Sequence, residues 1–412
     1  MDLGVEASRE YEWIADDEPF SSEPSVHPMD HATQSVQSAS IVNGEANGND
    51  DSSSTNVIIE KEEVKSILPS ANRSKSKDAK PAKSNPSAIL LERITRWLRV
   101  PKNETMVPPP QKGKHYRLVF AVTADVSDSC QEIPSDVANT LVSLALLQQN
   151  FNFLPVLFTI SKPLITVAEG LGIPYYFGYQ HNEFFYPRVD SIFADLYRDV
   201  SSDYYGIINA DILISDSIFS ALDVLDAMVS NHTLSEIRGI AGVVRDIVPV
   251  DLVGKTLQSP GLSLAEYRGI MEETSRKRFA YRHHCSADYF VFSRSTPLSA
   301  FGPYVLGRYN IDNYLLSRMK ESNGSLVDTT FAFPSFHQGS LTNIHKARNG
   351  LVLDGDLRYN IELMKKNNVK KGCLYRSASH YLFVRDGEYY SNPYGPSSDA
   401  ALKTFKEMKK LY

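Results

Sequence analysis

The stretch Tyr204–Ser215 places an acidic residue directly after what the sequence marks as a buried strand. Residues 204–208 are rich in aromatic and β-branched side chains, which favours a buried β-strand. They run into Asn-Ala-Asp at 209–211, and a second apolar stretch, Ile212–Ile214, follows. A carboxylate between apolar segments loses hydration and needs a cation or hydrogen-bond donors. Asp211 is therefore predicted either to cap a turn or to bind a metal ion that holds a diphosphate.

Strand and helix patterns alternate through the middle of the chain. Apolar strand segments at 117–123, 153–159 and 173–177 are separated by segments with helical periodicity, and further helix–strand pairs lead to a strand at 239–244. This alternation predicts an α/β fold with a mostly parallel, Rossmann-like sheet and helices on both faces. In such sheets, ligands bind beyond the carboxyl ends of the strands, where Asp211 is expected.

The chain divides by composition into four segments. Residues 1–87 hold too little apolar surface to offset the entropy of ordering, so they are predicted to be disordered. Residues 88–113 contain an amphipathic helix at 88–100, expected to pack on the main domain rather than on a membrane, and a Pro-rich linker. The folded domain is predicted at 114–390, and 391–412 is predicted to be a polar tail or helix.

Charge and cysteine content exclude several functional classes. A formal net charge of -6 over 412 residues gives no basic footprint for nucleic acid, so no nucleic-acid partner is expected. Cys130, Cys285 and Cys373 are few, odd in number and widely spaced. This spacing argues against a disulfide framework and against a zinc knuckle. It leaves the redox compartment open, with a reducing one fitting slightly better.

The N-terminal sequence bears on the expected compartment. Residues 1–17 are acidic and lack the apolar core of a signal peptide, and no stretch approaches the roughly 20 apolar residues of a membrane span. The protein is therefore expected to be soluble and cytoplasmic as written, with a Golgi or other secretory location only if the N-terminus is incomplete. Sequons that would matter only in a secretory protein begin at Asn72, Asn103, Asn231 and Asn323.

Polar residues recur at element boundaries later in the chain. Asp288 stands just ahead of an aromatic strand, and Asp312 stands at the start of a helix, shortly after Arg308. His337 follows a β stretch, and His345 comes eight residues later. Each has a structural alternative: Asp312 as a helix cap, Asp288 as a turn residue, the histidines as packed or surface residues, and Arg308 as a solvated side chain.

The order of these elements resembles the GT-A glycosyltransferases, the nucleotide-diphospho-sugar transferases. It is most similar to an uncharacterised branch with an Asn-Ala-Asp or Asn-Gly-Asp signature. That branch also has an Ala-Asp-Tyr-Phe-Val-Phe strand, matched at 287–292, a Gly-Arg…Asp-Asn segment, matched at 307–313, and a His-Gln element, matched at 337–338. The resemblance spans about 117–383 and implies a GT-A-like fold that transfers a sugar from a nucleotide sugar.

The resemblance also implies roles for individual residues. Asp211 matches the last acid of the family's Asp-x-Asp motif, which binds Mn²⁺ or Mg²⁺ at the donor diphosphate, and His337 matches a further metal ligand. Asn209 replaces the first acid, so that position can hydrogen-bond but carries no charge. Asp312 matches the acceptor-side general base. Donor binding is further assigned to Thr123, Asp125, Asp128 and Arg308. Asp288 and His345 are assigned to positions that support the residues in contact with the donor or metal.

Two alternative functions remain. One follows from a departure from the family motif, and the other is an enzyme class that has a similar sheet. Because Asn209 carries no charge, a catalytically weak relative that binds a nucleotide or glycan is the first alternative. A nucleotidyltransferase on a similar sheet is the second, but residues 123–134 lack the Gly and Lys of its usual loop. The main hypothesis expects a UDP- or GDP-linked donor and a glycan, protein or small-molecule acceptor.

Overall fold

The computed structural model describes residues 86–99, 105–130, 132–247, 261–277, 279–321, 324–338 and 358–412, with side chains from residue 90 onwards. The segment 1–85, predicted from composition to be disordered, lies outside the described residues. The predicted supporting residue His345 lies outside them as well.

The described strands form one large sheet and one small one. In chain order they are β1 His115–Thr123, β2 Phe153–Phe158, β3 Tyr175–Tyr176, β4 Ser201–Asn209, β5 Ile212–Ile214, β6 Ile237–Gly242, β7 Arg245–Asp246, β8 Tyr289–Ser293, β9 Ser325–Phe331, β10 Ser335–His337, β11 His380–Arg385 and β12 Glu388–Pro393. The large sheet has nine strands in the order β12-β11-β9-β6-β8-β4-β1-β2-β3. Among these strands, β8 and β12 run antiparallel to their neighbours and the rest pair in parallel. The predicted α/β class with a mostly parallel sheet is confirmed.

Helices cover both faces of the large sheet. They are α1 Pro86–Arg99, α2 Ser135–Asn150, α3 Lys162–Leu171, α4 Val189–Asp199, α5 Ser217–Ser230, α6 Leu264–Arg276, α7 Ile311–Glu321, α8 Tyr359–Lys366, α9 Leu374–Ser377 and α10 Ser398–Leu411, with a 3-10 turn at Leu298–Ala300. Side chains alternate across β1: Leu118 and Phe120 join an apolar cluster with α2 and α5, whereas Val119 and Ala121 join a second cluster with α4 and α7. This alternation is what a strand buried on both faces requires.

The small sheet determines what lies beside the end of β4. Strand β10 pairs antiparallel with β5 and parallel with β7. In this register His337 lies opposite Ile212 on one side and opposite Asp246 on the other. The short turn after β4 leads directly into β5, so the small sheet brings three distant chain segments together at the carboxyl end of β4.

The C-terminal residues belong to the fold. Strands β11 and β12 form a hairpin that turns at Asp386-Gly387. Both turn residues have positive φ, and Asp-Gly is a sequence that strongly favours a hairpin turn of this kind. Strand β12 crosses the predicted boundary at residue 390. Helix α10 then buries Phe405 completely against the second apolar cluster. Of the two options predicted for 391–412, a tail or a helix, the structure has a packed helix.

The expectation about cysteines is wrong in one respect. Cys285 and Cys373 form a disulfide across 88 residues of sequence, and among the described residues Cys130 is a free thiol. Cys285 precedes β8 and Cys373 precedes α9, so the disulfide links two segments that are far apart in the chain. Spacing along the chain could not indicate the pair, because tertiary structure alone brings these loops together.

Gly206 tests how closely β4 packs on its neighbours. A Cβ added there would lie 2.3 Å from a ring carbon of Phe120 and 2.6 Å from the backbone oxygen of Phe290. Gly206→Ala is expected to destabilise the fold by about 1–3 kcal/mol through overpacking. The matched control is Gly269→Ala on the exposed side of α6, where nothing lies within 4 Å, and it should stabilise by about 0.5–1 kcal/mol. Thermal and denaturant unfolding measure both, and equal stability of the two variants would contradict the packing described here.

Candidate functional site

Asp211 lies in the turn between β4 and β5, at the carboxyl end of the central parallel strands. Its backbone oxygen accepts a hydrogen bond from the Gln338 backbone, which ties the turn to the end of β10. The side chain as a whole is 35% exposed, yet its Oδ1 atom is enclosed and accepts no hydrogen bond from any described residue. Asn209, the last residue of β4, is exposed. A buried carboxylate oxygen without a donor is costly unless a cation meets it.

His337 bridges two carboxylates. Its Nε2 lies 3.1 Å from Asp211 Oδ2, and its Nδ1 lies 2.8 Å from Asp246 Oδ1. Burial lowers the pKa of His337, but hydrogen bonds to the two acids outweigh burial and raise that pKa to about 9. Burial likewise raises the pKa of Asp211, and the hydrogen bond and charge of His337 bring it below its usual value. The hydrogen bonds to the two carboxyl groups therefore favour the protonated imidazole.

A partly buried arginine connects this pair to the other predicted acids. Arg282 is anchored through its backbone N–H to Val244, and its guanidinium pairs with Asp288 and lies 3.8 Å from Asp246. Burial lowers the pKa of Arg282, but the charges of four acids, Asp211 and Asp312 included, outweigh burial and raise it. Sequence analysis missed Arg282 and Asp246, because an isolated Arg or Asp in an irregular segment has no distinguishing pattern.

At the carboxyl end of β4, interacting carboxyl groups outnumber basic side chains among the described residues. Sequence analysis also missed Asp136, in the first turn of α2. Burial raises the pKa of Asp136, and the charge of Asp211 adds to this effect, although a backbone hydrogen bond opposes it. Asp288 is buried, which raises its pKa, although Arg282 lowers it, and its Oδ2 has no hydrogen-bond partner among the described residues. The interacting carboxylates outnumber the two cations, which suits a site that attracts a divalent cation. The carboxylates are Asp136, Asp211, Asp246, Asp288 and Asp312.

Asp312 lies in the first turn of α7, one residue inside the helix rather than at its cap. The helix begins at Ile311, so the capping alternative does not describe its position. Its Oδ1 accepts a hydrogen bond from the Asn313 backbone at 2.9 Å. Part of the residue reaches the surface, but burial of the carboxyl raises its pKa to about 6 against the lowering effect of that hydrogen bond. Asp312 therefore belongs to the same electrostatic network as Asp288 and Arg282.

The loop after β1 is covered by helix α1. Thr123 ends β1 opposite Asn209 in the sheet, and Asp128 accepts a hydrogen bond from the backbone of Lys162 at the start of α3. The carboxylate of Asp125 pairs with Arg96 at 2.5 Å and with Arg93 at 3.3 Å. Asp125 and Asp128 are thus engaged within the protein, and their predicted role at the nucleotide stays a prediction.

Arg308 lies in the loop that leads into α7. Its guanidinium lies over the ring of Tyr186, 3.4 Å from the centroid, and donates a hydrogen bond to the oxygen of Gly307. Arg93 of α1 lies over the same ring at 4.5 Å. The structure places Arg308 against Tyr186, and its predicted contact with a diphosphate stays a prediction.

A second group of potential ligand atoms lies at His283, His284 and Cys285. Burial lowers the pKa of both histidines, that of His284 to about 4, so they are neutral near pH 7. Cys285 cannot act as a thiolate ligand because its sulfur forms the disulfide. This group lacks the charged oxygen ligands that Mn²⁺ and Mg²⁺ prefer.

The Asp211 site fits a divalent cation better. Asp211 Oδ1 is an enclosed carboxylate oxygen with no donor among the described residues, and Oδ2 lies beside a histidine nitrogen. Asp246 holds the other ring nitrogen, which is the arrangement that orients a metal-binding histidine. Because Nε2 must lose its proton to act as a ligand, binding of a cation there would release a proton.

Comparison with known proteins finds remote similarity to solved structures. No family model and no curated protein matches the chain. TarS from S. aureus, crystallised with UDP-GlcNAc, is 12% identical over 62% of this chain and 67% of that chain, with a TM-score of 0.36. Glucosyl-3-phosphoglycerate synthase from Mycobacterium tuberculosis, crystallised with Mn²⁺, UDP and phosphoglyceric acid, is 10% identical over 68% of this chain and 88% of that chain, with a TM-score of 0.32. Similarity this remote says nothing about what this chain binds.

Trp97 provides a test of the position of α1. Its ring centroid lies 4.4 Å from that of His181 and 5.0 Å from that of Tyr179. Trp97→Ala is expected to lower the free energy of unfolding by about 1–3 kcal/mol, less than for a fully buried Trp. Leu98, 81% exposed on the same helix, is the control, and Leu98→Ala should change stability by no more than about 0.5 kcal/mol. Identical melting of the two variants would mean that α1 does not dock as described.

Proposed function

We propose that this protein transfers a sugar from a UDP- or GDP-linked donor, with Mn²⁺ or Mg²⁺ bound by Asp211 and His337. The single observation that carries the proposal is the enclosed Oδ1 of Asp211, which accepts no hydrogen bond from any described residue and belongs to a side chain beside His337, at the carboxyl end of β4. This edge of a parallel α/β sheet is where ligands bind. The remote likeness in fold to nucleotide-sugar transferases is compatible with the proposal and adds nothing to it.

Asp211 and His337 would supply the protein ligands, and Asp246 would hold His337 in the required tautomer and orientation. A divalent ion bound there supplies Lewis-acid stabilisation of the nucleoside diphosphate as it leaves. The excess of carboxylates around Arg282 makes the edge attractive to a cation before any nucleotide arrives. Arg282 keeps Asp288 and Asp246 in place by pairing with both.

Asp312 is the proposed general base. A carboxylate with a pKa of about 6 is ionised at neutral pH, yet it is a stronger base than an exposed Asp. It would accept the proton of the acceptor hydroxyl as that oxygen attacks the anomeric carbon. Its backbone hydrogen bond with Asn313 holds the carboxyl at the start of α7, close to Asp288 and Arg282.

A catalytically weak nucleotide-binding protein is the second candidate, and Asn209 favours it. The exposed Asn209 lacks the charge that would add a further anionic oxygen near Asp211. This candidate requires metal-dependent nucleotide binding without measurable release of nucleoside diphosphate from the sugar donor. Binding and turnover must therefore be measured on the same preparation.

Asp211→Asn tests the metal site. The variant is expected to weaken Mn²⁺-dependent binding of UDP by at least the roughly 10–100-fold that loss of an outer-shell partner costs. Calorimetric titration with UDP, with and without Mn²⁺, measures it. Asp223→Asn is the control, because Asp223 pairs with Arg117 of β1 and is 72% exposed. Equal affinity in Asp211→Asn and wild type would leave Asp211 as a turn residue and refute the proposal.

Asp312→Asn tests the general base. Release of UDP from a panel of UDP-sugars with Mn²⁺ and acceptors should fall by about 10²–10⁴-fold, while UDP binding is retained. In the wild type, turnover should be lost as pH falls through about 6, because the base becomes protonated. With Mn²⁺ kept saturating, so that protonation of His337 does not empty the metal site, that acidic limb should be absent from any residual activity of the variant. Unchanged turnover in Asp312→Asn would remove this residue from the mechanism.

A further inference from the structure

The disulfide Cys285–Cys373 and the sequon Asn231-His232-Thr233 point to the same cellular environment. Structural disulfides form and persist in oxidising compartments and are rare in the cytosol. Asn-x-Ser/Thr sequons are modified only on chains that enter the secretory pathway. We propose that Asn231 is a site of N-linked glycosylation and that this chain folds in an oxidising secretory lumen. The inference does not depend on the proposed enzymatic function.

The local geometry at Asn231 suits an acceptor. All three residues of the sequon are exposed, in the turn between α5 and β6. Asn231 Oδ1 accepts hydrogen bonds from the Thr233 backbone N–H at 3.0 Å and from the Thr233 hydroxyl at 2.5 Å. Both bonds use the amide oxygen, so they hold the side chain without engaging its Nδ2 atom. The hydroxyl that defines the sequon therefore already contacts the amide that would be modified.

The sequon at 323–325 offers a contrast, although its Asn323 itself lies outside the described residues. Ser325, the third residue of the sequon at 323–325, is 3% exposed in β9, and its hydroxyl contacts Ser235 at 2.6 Å. A Cβ at Gly324 would lie 2.7 Å from a backbone oxygen, so the middle residue is closely packed as well. The sequons at Asn72 and Asn103 lie outside the described residues. Asn231 is therefore the acceptor that the folded domain visibly accommodates.

The position of Asn231 keeps a glycan away from the candidate site. Helix α5 starts shortly after Asp211, at the carboxyl edge of the sheet, and ends at Ser230 before β6. Strand β6 starts at the opposite edge, since it pairs antiparallel with β8, which pairs antiparallel with β4. A 14-residue helix is about 21 Å long. A bulky sugar at Asn231 would extend into solvent from the edge opposite Asp211.

The modification is a substitution at a glycosyl carbon. The Nδ2 atom of Asn231 attacks C1 of an oligosaccharide carried on a lipid diphosphate, which is the co-reactant. A C–N bond forms, the C–O bond to phosphate breaks, and the amide nitrogen loses one proton. The lipid diphosphate leaves with the bonding electron pair, so no oxidant or reductant is required.

Peptide mass analysis of the full chain tests the proposal. The protein is isolated from its own source and, separately, from eukaryotic cells in which a cleavable signal directs it to the secretory pathway. Enzymatic removal of N-glycans in heavy-oxygen water should convert Asn231 to labelled Asp in both preparations. Without reduction, the peptides containing Cys285 and Cys373 should be found linked. Unlabelled Asn231 or free thiols at both cysteines in the native protein would overturn the proposal.

Sequon variants in the secreted protein separate glycosylation from deamidation. Thr233→Ser should retain the labelled peptide, whereas Thr233→Ala and Asn231→Gln should lose it. Because Asn231 is exposed, Asn231→Gln should melt within about a degree of wild type when both are produced in cells that do not glycosylate them. Such a result would exclude misfolding as the cause of a lost labelled peptide. Label that persists in Thr233→Ala would show chemical deamidation and would also overturn the proposal.

Discussion

The imidazole of His337, held between Asp211 and Asp246, is the contact on which the candidate site depends. The three side chains come from β10, from the turn after β4 and from β7, and nothing in the chain order places them together. The register of the small sheet does so, because it sets His337 opposite Ile212 on one side and Asp246 on the other. A slip of one residue in β10 would turn His337 to the other face and separate the pair. The metal-binding hypothesis therefore rests on a three-strand register.

Buried charge is the second constraint, and it extends from Asp211 to the start of α7. Enclosed carboxylates are destabilising unless cations or donors meet them. Arg282 meets Asp288 and Asp246, and His337 meets Asp211, yet Asp211 Oδ1 and Asp288 Oδ2 still lack partners among the described residues. Such an arrangement costs stability in the protein alone, and the proposed divalent cation would relieve that cost. That trade of stability for affinity is common where a site is built in advance of its ligand.

Two connections outside the large sheet shape the surroundings of this edge. Helix α1 covers the loop after β1 through Arg96, and Trp97 packs on His181, so the loop that resemblance assigns to the nucleotide is held by a helix that precedes the domain. The disulfide joins the segment before β8 to the segment before α9, and Asn313 donates hydrogen bonds to backbone oxygens of Cys285 and Gly372 on both sides of it. The start of α7, with Asp312, is therefore fixed from two directions. Loops at a ligand-binding edge are usually the least stable part of a domain, and these connections oppose that tendency.

The sequence by itself determined the α/β class, the parallel strands and the position of Asp211 at the end of β4, since periodicity and residue type are local properties that survive into the fold. Through a resemblance in the order of elements, it also indicated His337 as a candidate metal ligand and Asp312 as a candidate general base. Only the tertiary structure decided that Asp246 and Arg282 belong to the site, that Asp125 is paired with α1, and that two of three cysteines are bonded. These are contacts between segments far apart in the chain, set by sheet register and loop packing, and no pattern within either segment encodes its partner.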